Sequence, residues 1–476
     1  MSDERTRDGG SAGTPMAPFD LWTQWLRASV GEVTAPPWAS VPWLASPGVS
    51  TGDEVDQLPE GAVRQDPLLS TVEKLWDANP LQNVLPINWL EIARSLQTLW
   101  AREMSDPVRA TQRATEYNRR LFETTMEIWG DAAARFWGLP GQEKEEEEGK
   151  KPDKRFTDPE WENNPYYQTL KESYLLASEY LLAEADETDG HDPEEQRRLR
   201  FHLKQFVDAM APVNFLLSNP AALRRITETG GTSLAEGARN LLADLREGRL
   251  SMTDTTAFEL GENIALTPGK VVYRNELIEL IQYEPKTEQV YEVPILFIPP
   301  WINKYYILDL QPKNSMVNYL LEQGFQVFMI SWKNPDASME DTKFEDYMTQ
   351  GPLAAAEVVK DITGSERINP AGYCVGGTLL AITLAWLTVG DDENPFHAST
   401  FMVALQDFTD VGETAVFIDE PQVEFMEQQM MERGYLDNRK MANMFNLLRS
   451  NDLIWSNVVN NYLLGQKPPA FDLLYW

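Results

Sequence analysis

The spacing of apolar residues changes near residue 268, and this change constrains the fold more than any other feature of the chain. Downstream of it come short, continuous apolar runs: Val293-Pro-Ile-Leu-Phe-Ile298, Phe325-Gln-Val-Phe-Met-Ile330, Ile368 to Tyr373 and Thr400-Phe-Met-Val-Ala-Leu405. Helical stretches near Ser315–Gln323 and Pro352–Thr363 separate them. A strand apolar along its whole length is buried on both faces, and strands alternating with helices of about 10–15 residues pair in parallel through crossovers. The pattern predicts a parallel sheet of βαβ units. It is preceded by a hairpin over Gly269 to Tyr283 with Asn275 at or near the turn. From about Phe408 the pattern is helical and aromatic-rich, through Met430, Met431, Phe445, Trp455 and Tyr462. This stretch reads as an insertion over the C-terminal edge of the sheet.

Upstream of the change the period is helical. Trp89, Ile92, Leu96 and Leu99 mark one apolar face, as do Phe122, Met126, Trp129, Ala133 and Phe136. After the polar run Glu143 to Lys154, which reads as a solvated linker, Leu170, Tyr174, Ala177 and Leu181 resume it. The expected organisation is a mostly disordered tail over 1–65 carrying a short amphipathic helix near 18–33, then a helical domain over 66–265 with the acidic linker near 143–155. An α/β core over 266–407 follows, and a cap over 408–476. There is no internal repeat.

Composition excludes several classes. Lys+Arg 41 against Asp+Glu 74 gives a net charge of −33, which repels phosphate and predicts no nucleic-acid partner. High solubility or a salt-tolerant source accounts for the excess acid. The single cysteine, Cys374, excludes an intrachain disulfide and a Cys-rich metal site, and three histidines (His191, His202, His397) leave little for metal ligation. No metal or cofactor is expected. The charged N-terminus lacks the apolar segment of a signal peptide, and the longest apolar stretches, such as Leu379 to Val389, fall short of the roughly 18 residues of a membrane span. A soluble intracellular chain is expected.

Chemistry concentrates at Gly372-Tyr-Cys374-Val-Gly376-Gly377-Thr378, which has nucleophile-elbow spacing with Cys where many hydrolases place Ser. A strand turning abruptly into a helix strains the nucleophile's backbone, and small residues two before and two after it avoid a clash. With 28 Gly in 476 residues, a lone Cys acquires both flanking glycines by chance about 0.3% of the time. The following helix turns its N-terminal N–H groups toward the sulfur, and Val375 N–H is placed for an oxyanion hole. Gly9-Gly-Ser11-Ala-Gly13 fits the same spacing, but no strand precedes it and it reads as noise. The second oxyanion donor comes from the loop after the third strand, Pro299-Pro-Trp-Ile-Asn-Lys-Tyr-Tyr306, where Trp301 or Ile302 would supply it. Trp301, Asn303, Tyr305 and Tyr306 are candidates for an apolar acyl channel, with core packing as the alternative for the aromatics.

A cysteine nucleophile wants a base, and in this fold the acid and then the histidine follow it. Only His397 does, and it is expected at the start of a strand on the opposite edge from the elbow; His191 and His202 belong to the helical region, His202 as a packed helix residue. Asp407, just past a strand's end where an acid could reach the site, reads first as a structural carboxylate opening the cap. Pro370, inside the presumed central strand, must sit at its end or at a bulge. The sheet lacks closing strands, so the sequence reads as truncated.

At these residues the chain resembles the polyhydroxyalkanoate synthases, in particular the single-subunit type that polymerises short-chain (R)-3-hydroxyacyl-CoA. The resemblance covers about 156 to 476 through Phe156-Thr-Asp-Pro-Glu-Trp161, Asn164-Pro165, Asn214-Phe215, Asn219-Pro220, Pro299 to Pro312, Ser331-Trp-Lys-Asn-Pro-Asp336, the elbow, Asn451-Asp-Leu-Ile-Trp455 and Phe471-Asp-Leu-Leu-Tyr-Trp476. It implies a helical N-terminal domain, an α/β-hydrolase core, a cap, and a cytoplasmic homodimer at a polyester granule. It also implies that Cys374 attacks the thioester, releases CoA and holds the growing chain, assisted by a His and an Asp from segments after Phe471–Trp476 that this sequence does not contain. Two alternatives stay open: a non-catalytic granule-associated protein, and a cysteine-based thioesterase or lactone hydrolase.

Overall fold

A computed structural model describes residues 84–139, 153–186, 192–302, 304–390, 393–436 and 438–475. The expected tail, its short helix and most of the acidic linker lie outside them. The chain divides into two compact units. One runs to Leu250 and includes Ser450–Gln466; the other comprises Ser251–Arg449 and Lys467–Trp476. The region expected as one cap over 408–476 is therefore shared between the units, and the boundary falls at Leu250 instead of near 265.

The helical unit contains α1 (Trp89–Ser105), α2 (Pro107–Phe136), α3 (Pro165–Asp186), α4 (Pro193–Ala209), α5 (Pro220–Glu228) and α6 (Thr232–Glu247). Asp106-Pro107, Asp192-Pro193 and Asn219-Pro220 open three of them. In each, the Asx side chain accepts from a backbone N–H of the first turn, and proline takes a position whose N–H has no helical partner. Asn164 does the same before Pro165, accepting from Tyr166 N at 3.1 Å. The core joins Phe156, Trp161, Leu170, Tyr174, Val207, Ala211 and Val213, with Phe156 and Trp161 edge to face at 4.9 Å. The expected stripe on α2 is exposed instead of packed: Phe122, Met126, Trp129 and Phe136 are 66%, 57%, 50% and 80% accessible. The helix buries Tyr117 and Ile128, on another side.

Ser450–Gln466 joins this unit through polar contacts. Asp208, 3% exposed, accepts from Ser450 Oγ and Asn451 Nδ2, both at 2.7 Å. It also pairs with Lys204 at 2.7 Å and Arg155 at 3.8 Å. Further along, Asn240 Nδ2 donates to the carbonyls of Asn461 and Gln466. A Cβ on Gly237 would lie 2.0 Å from Tyr462 O, so only glycine admits this close approach.

The sheet unit contains β1 (Gly269–Arg274), β2 (Ile278–Tyr283), β3 (Ile295–Ile298), β4 (Val327–Trp332), β5 (Asn369–Tyr373) and β6 (Thr400–Met402). Its longer helices are α7 (Met316–Glu322), α8 (Ala354–Thr363), α9 (Val375–Val389), α10 (Glu420–Arg433) and α11 (Asn438–Leu448). The order is β1-β2-β4-β3-β5-β6, with β4, β3, β5 and β6 parallel and β2 antiparallel to β1 and β4. The hairpin turns where expected, Asn275 Oδ1 accepting from Leu277 N and Ile278 N at 2.9 and 2.8 Å. Alternate strand residues pack to opposite faces. Leu280, Leu296, Ile298, Phe328 and Ile330 meet α8 and α9 through Ala355, Val359, Leu379 and Leu380. Phe297, Val327 and Met329 meet α7 through Val317 and Leu321.

Pro370 is the second residue of β5. Asn369 N–H donates toward β3, to Pro294 O at 2.9 Å, so strand alternation turns the proline nitrogen to the β6 side. On that side the isolated bridge Ile368–Phe396 precedes Pro370 and the β6 pairing resumes at Ala371–Thr400, so the missing donor falls in the break between them. β6 is shorter than expected, because Val403 has φ 49° and leaves the extended conformation. Among the described residues no helix is long and apolar enough to cross a membrane.

Candidate active site

The elbow geometry follows from its glycines. β5 ends at Tyr373, α9 begins at Val375, and Cys374 between them has φ 52° and ψ −126°, a conformation that costs a non-glycine residue about 1–3 kcal/mol. Cys374 N donates to Met402 O at 3.0 Å, and Cys374 O accepts from Gly377 N and Thr378 N at 2.8 and 3.2 Å. A Cβ on Gly372 would lie 2.4 Å from Gly377 Cα; on Gly376, 2.0 Å from Ile298 O; on Gly377, 2.4 Å from Ala404 Cβ. Three glycines thus let β3, the β6 exit and the helix start close around one residue. Cys374 is half-buried and free. Val375 occupies the first position of α9, where a backbone N–H has no partner within the helix.

The loop after β3 is held by aromatics. Pro299 and Pro300 have no N–H, so the first amide donors beyond the strand are those of Trp301 and Ile302. Trp301 and Ile302 are half-buried. The Trp301 ring lies 4.7 Å from Tyr347, 5.9 Å from Trp332 and 5.9 Å from Phe344. Tyr306 is buried with Ile264 and Leu310, and Tyr305 packs on the same cluster. Burial raises the pKa of both tyrosines. Tyr306 is thus buried, Trp301 and Tyr305 pack on their neighbours while staying half-buried, and Asn303 lies outside the described residues.

His397 N donates to Ile368 O at 2.8 Å, just before β5, so β5 separates it from the elbow at its other end. His202 lies in the helical unit with its ring 5.4 Å from Phe201, and His191 lies outside the described residues. Asp407 closes an exposed turn by accepting from Thr409, whose hydrogen bonds lower its pKa. Sequence reasoning missed Tyr347 and Gly351, and met Trp332 only within the resemblance run Ser331–Asp336 with no sign of its contact with the β3 loop, 30 or more positions away. It also missed Asp309. This acid, 2% exposed, accepts from the hydroxyls of Thr267 and Ser315 at 2.5 Å each, and burial raises its pKa.

The strand order and a cysteine at the strand-to-helix elbow define an α/β-hydrolase-fold protein. Residues 152–320 match the family described as poly-beta-hydroxybutyrate polymerase (PhaC) N-terminus. A poly(3-hydroxyalkanoate) polymerase of Methylorubrum extorquens is 41% identical over 390 residues, which cover 81% of this chain and 63% of that protein. The poly(3-hydroxyalkanoate) polymerase subunit PhaC of Cupriavidus necator is 44% identical over 71% of this chain and 58% of its own length, and that of Rhizobium etli 39% identical over 78% and 61%. Over the stretch that these matches cover, the chain is similar to the poly(3-hydroxyalkanoate) polymerases. It spans between 58% and 63% of the length of these relatives.

Proposed function

We propose that this chain is the acyl-accepting part of a polyhydroxyalkanoate synthase acting on (R)-3-hydroxyacyl-CoA, with 3-hydroxybutyryl-CoA as the substrate to test first. Cys374 Sγ adds to the thioester carbonyl, and the N–H groups of Val375 and Ile302 receive the oxyanion. Collapse breaks the carbon–sulfur bond to CoA, which leaves with the proton given up by the cysteine. The acyl group stays on Cys374 as a thioester until the 3-hydroxyl of another acyl unit attacks it. The observation that carries this reading is the positive φ of Cys374 among three glycines at which any Cβ would clash with neighbouring backbone or a neighbouring Cβ. A cysteine serving only as a small buried hydrophobe has no need of that conformation.

The sheet unit's only histidine, His397, lies at the far end of β5. The reading is therefore of a chain that accepts an acyl group slowly and turns over hydroxybutyryl-CoA at a negligible rate by itself. The exposed stripe of α2 supports association with a second apolar surface, either a polyester granule in the cytoplasm or another copy of the chain. Incubation with 3-hydroxybutyryl-CoA followed by intact-mass and peptide analysis is expected to find one acyl group on Cys374 and at most one CoA released per chain. Multiple turnover overturns the inactivity, free hydroxy acid assigns a thioesterase, and no adduct overturns the acyl-carrier role.

A further inference from the structure

The β3 loop cannot present an amide to the elbow unless the point where it leaves the sheet is fixed. That point is Pro299. Its carbonyl accepts a hydrogen bond from Trp332 Nε1 at 2.7 Å, delivered from the last residue of β4. The same carbonyl, with that of Ile298, faces Gly376: a Cβ there would lie 2.7 Å from Pro299 O and 2.0 Å from Ile298 O. Pro299 O thus lies between the indole on one side and the first turn of α9 on the other. The indole is itself clamped. Tyr347 lies against it tilted by 40° at 5.3 Å and Trp301 meets it edge-on at 5.9 Å and 77°. On a further side Gly351 leaves room for it, since a Cβ there would lie 2.4 Å from the ring's Cη2.

We propose that Trp332 is a positioning residue for the oxyanion side of the Cys374 site. Its indole N–H sets the register of Pro299–Ile302 against the elbow and so decides where the Trp301 and Ile302 amides lie relative to the sulfur. This rests on the reading of Cys374 as the acyl carrier. Trp332 touches no reacting atom and acts through the Pro299 carbonyl. The proline pair makes the arrangement sensitive: neither residue can donate a hydrogen bond of its own to hold the turn, and a displacement of about 1 Å at an acyl-transfer site can cost up to a hundredfold in rate.

Trp332→benzothienylalanine, introduced site-specifically in the full chain, replaces the indole nitrogen by sulfur and deletes the donor while keeping the shape. Gly351→Ala displaces the same ring by a different route. Two rates are measured on Cys374: acylation by 3-hydroxybutyryl-CoA, which needs an oxyanion hole, and alkylation by iodoacetamide, which does not. Both variants are expected to acylate about tenfold more slowly and to alkylate within twofold of the parent. An unchanged ratio of the two rates in both variants overturns the proposal. If the parent chain forms no adduct, the acyl-carrier reading fails, and amide hydrogen exchange at Trp301 and Ile302 decides the role of Trp332. Exchange about tenfold faster in Trp332→benzothienylalanine supports it, and unchanged exchange overturns it.

Discussion

Asp208 of the helical unit and Asp309 of the sheet unit are 3% and 2% exposed, yet their surroundings are opposite in kind. Asp208 sits among cations, Lys204 and Arg155, with Ser450 and Asn451 completing its shell. Asp309 is met by two hydroxyls. Nearby Asp472 is likewise met by neutral groups, the amides of Gln311 and Asn314 at 2.9 Å each. The difference follows from how each unit coheres. Helices packed through separate small apolar clusters leave seams where charged side chains interlock, whereas a sheet buried on both faces excludes charge and tolerates an acid only where neutral donors reach it. In the sheet unit the ion pairs among the described residues, such as Arg274–Glu279 and Lys333–Asp336, stay at the surface and contribute little.

Substitutions can break this contrast, the largest effect falling on chemistry. Cys374→Ala is expected to abolish the acyl adduct, a loss of more than about a thousandfold by mass spectrometry, while both units keep their unfolding midpoints; an adduct on another residue would refute the assignment. Gly376→Ala drives a methyl group into the Ile298 carbonyl and is expected to cost about 3 kcal/mol. The cost should appear in hydrogen exchange as weakened protection of β3, β5 and α9 alone. Asp208→Ala strips the helical seam of its central anion and should cost about 2 kcal/mol, read as faster exchange in α4 and Ser450–Gln466 with the strands unaffected.

The smallest effects concern acid, and their signs differ between the units. Burial raises the folded pKa of Asp309 above its unfolded value, so its destabilising contribution is fully present at neutral pH and fades as pH falls through the folded value. Asp309→Asn should therefore stabilise strands β2 and β3 at pH 7 more than at pH 4, as measured by urea midpoints. The hydrogen bond and charge of Arg224 lower the pKa of Asp158, so its stabilising contribution is present above the unfolded value and lost as pH falls through the folded one. Arg224→Gln should remove that acid dependence from the helical unit, at a cost under about 0.5 kcal/mol near neutrality because Arg224 is half exposed. Equal pH responses in the two units would erase the distinction.

Features set by neighbouring residues were legible in the sequence. The elbow was readable because its glycines answer clearances imposed by one turn of backbone. The hairpin at Asn275 and the Asx-Pro pairs 164–165 and 219–220 were legible too, although the sequence marked those pairs as resemblance and the structure shows them as helix caps. Features set by distant partners were not. Nothing near Asn451 reveals that it reaches Asp208, and nothing near Trp301 reveals that its ring fills a space between Trp332 and Tyr347. The stripe on α2 shows the limit of periodicity: the spacing marks a face, and only the neighbouring helices decide which face is covered.

The excursion of Ser450–Gln466 into the helical unit has a consequence for biosynthesis. Translation passes Leu250 about 200 residues before it reaches Ser450, a delay of roughly 10–40 s at ordinary elongation rates. Throughout that interval the nascent N-terminal portion carries an acid, Asp208, whose hydroxyl and amide donors have not yet been synthesised. Its last step of maturation therefore waits for the ribosome to finish most of the second unit, and a gene cut at codon 250 would release a product that can never reach it.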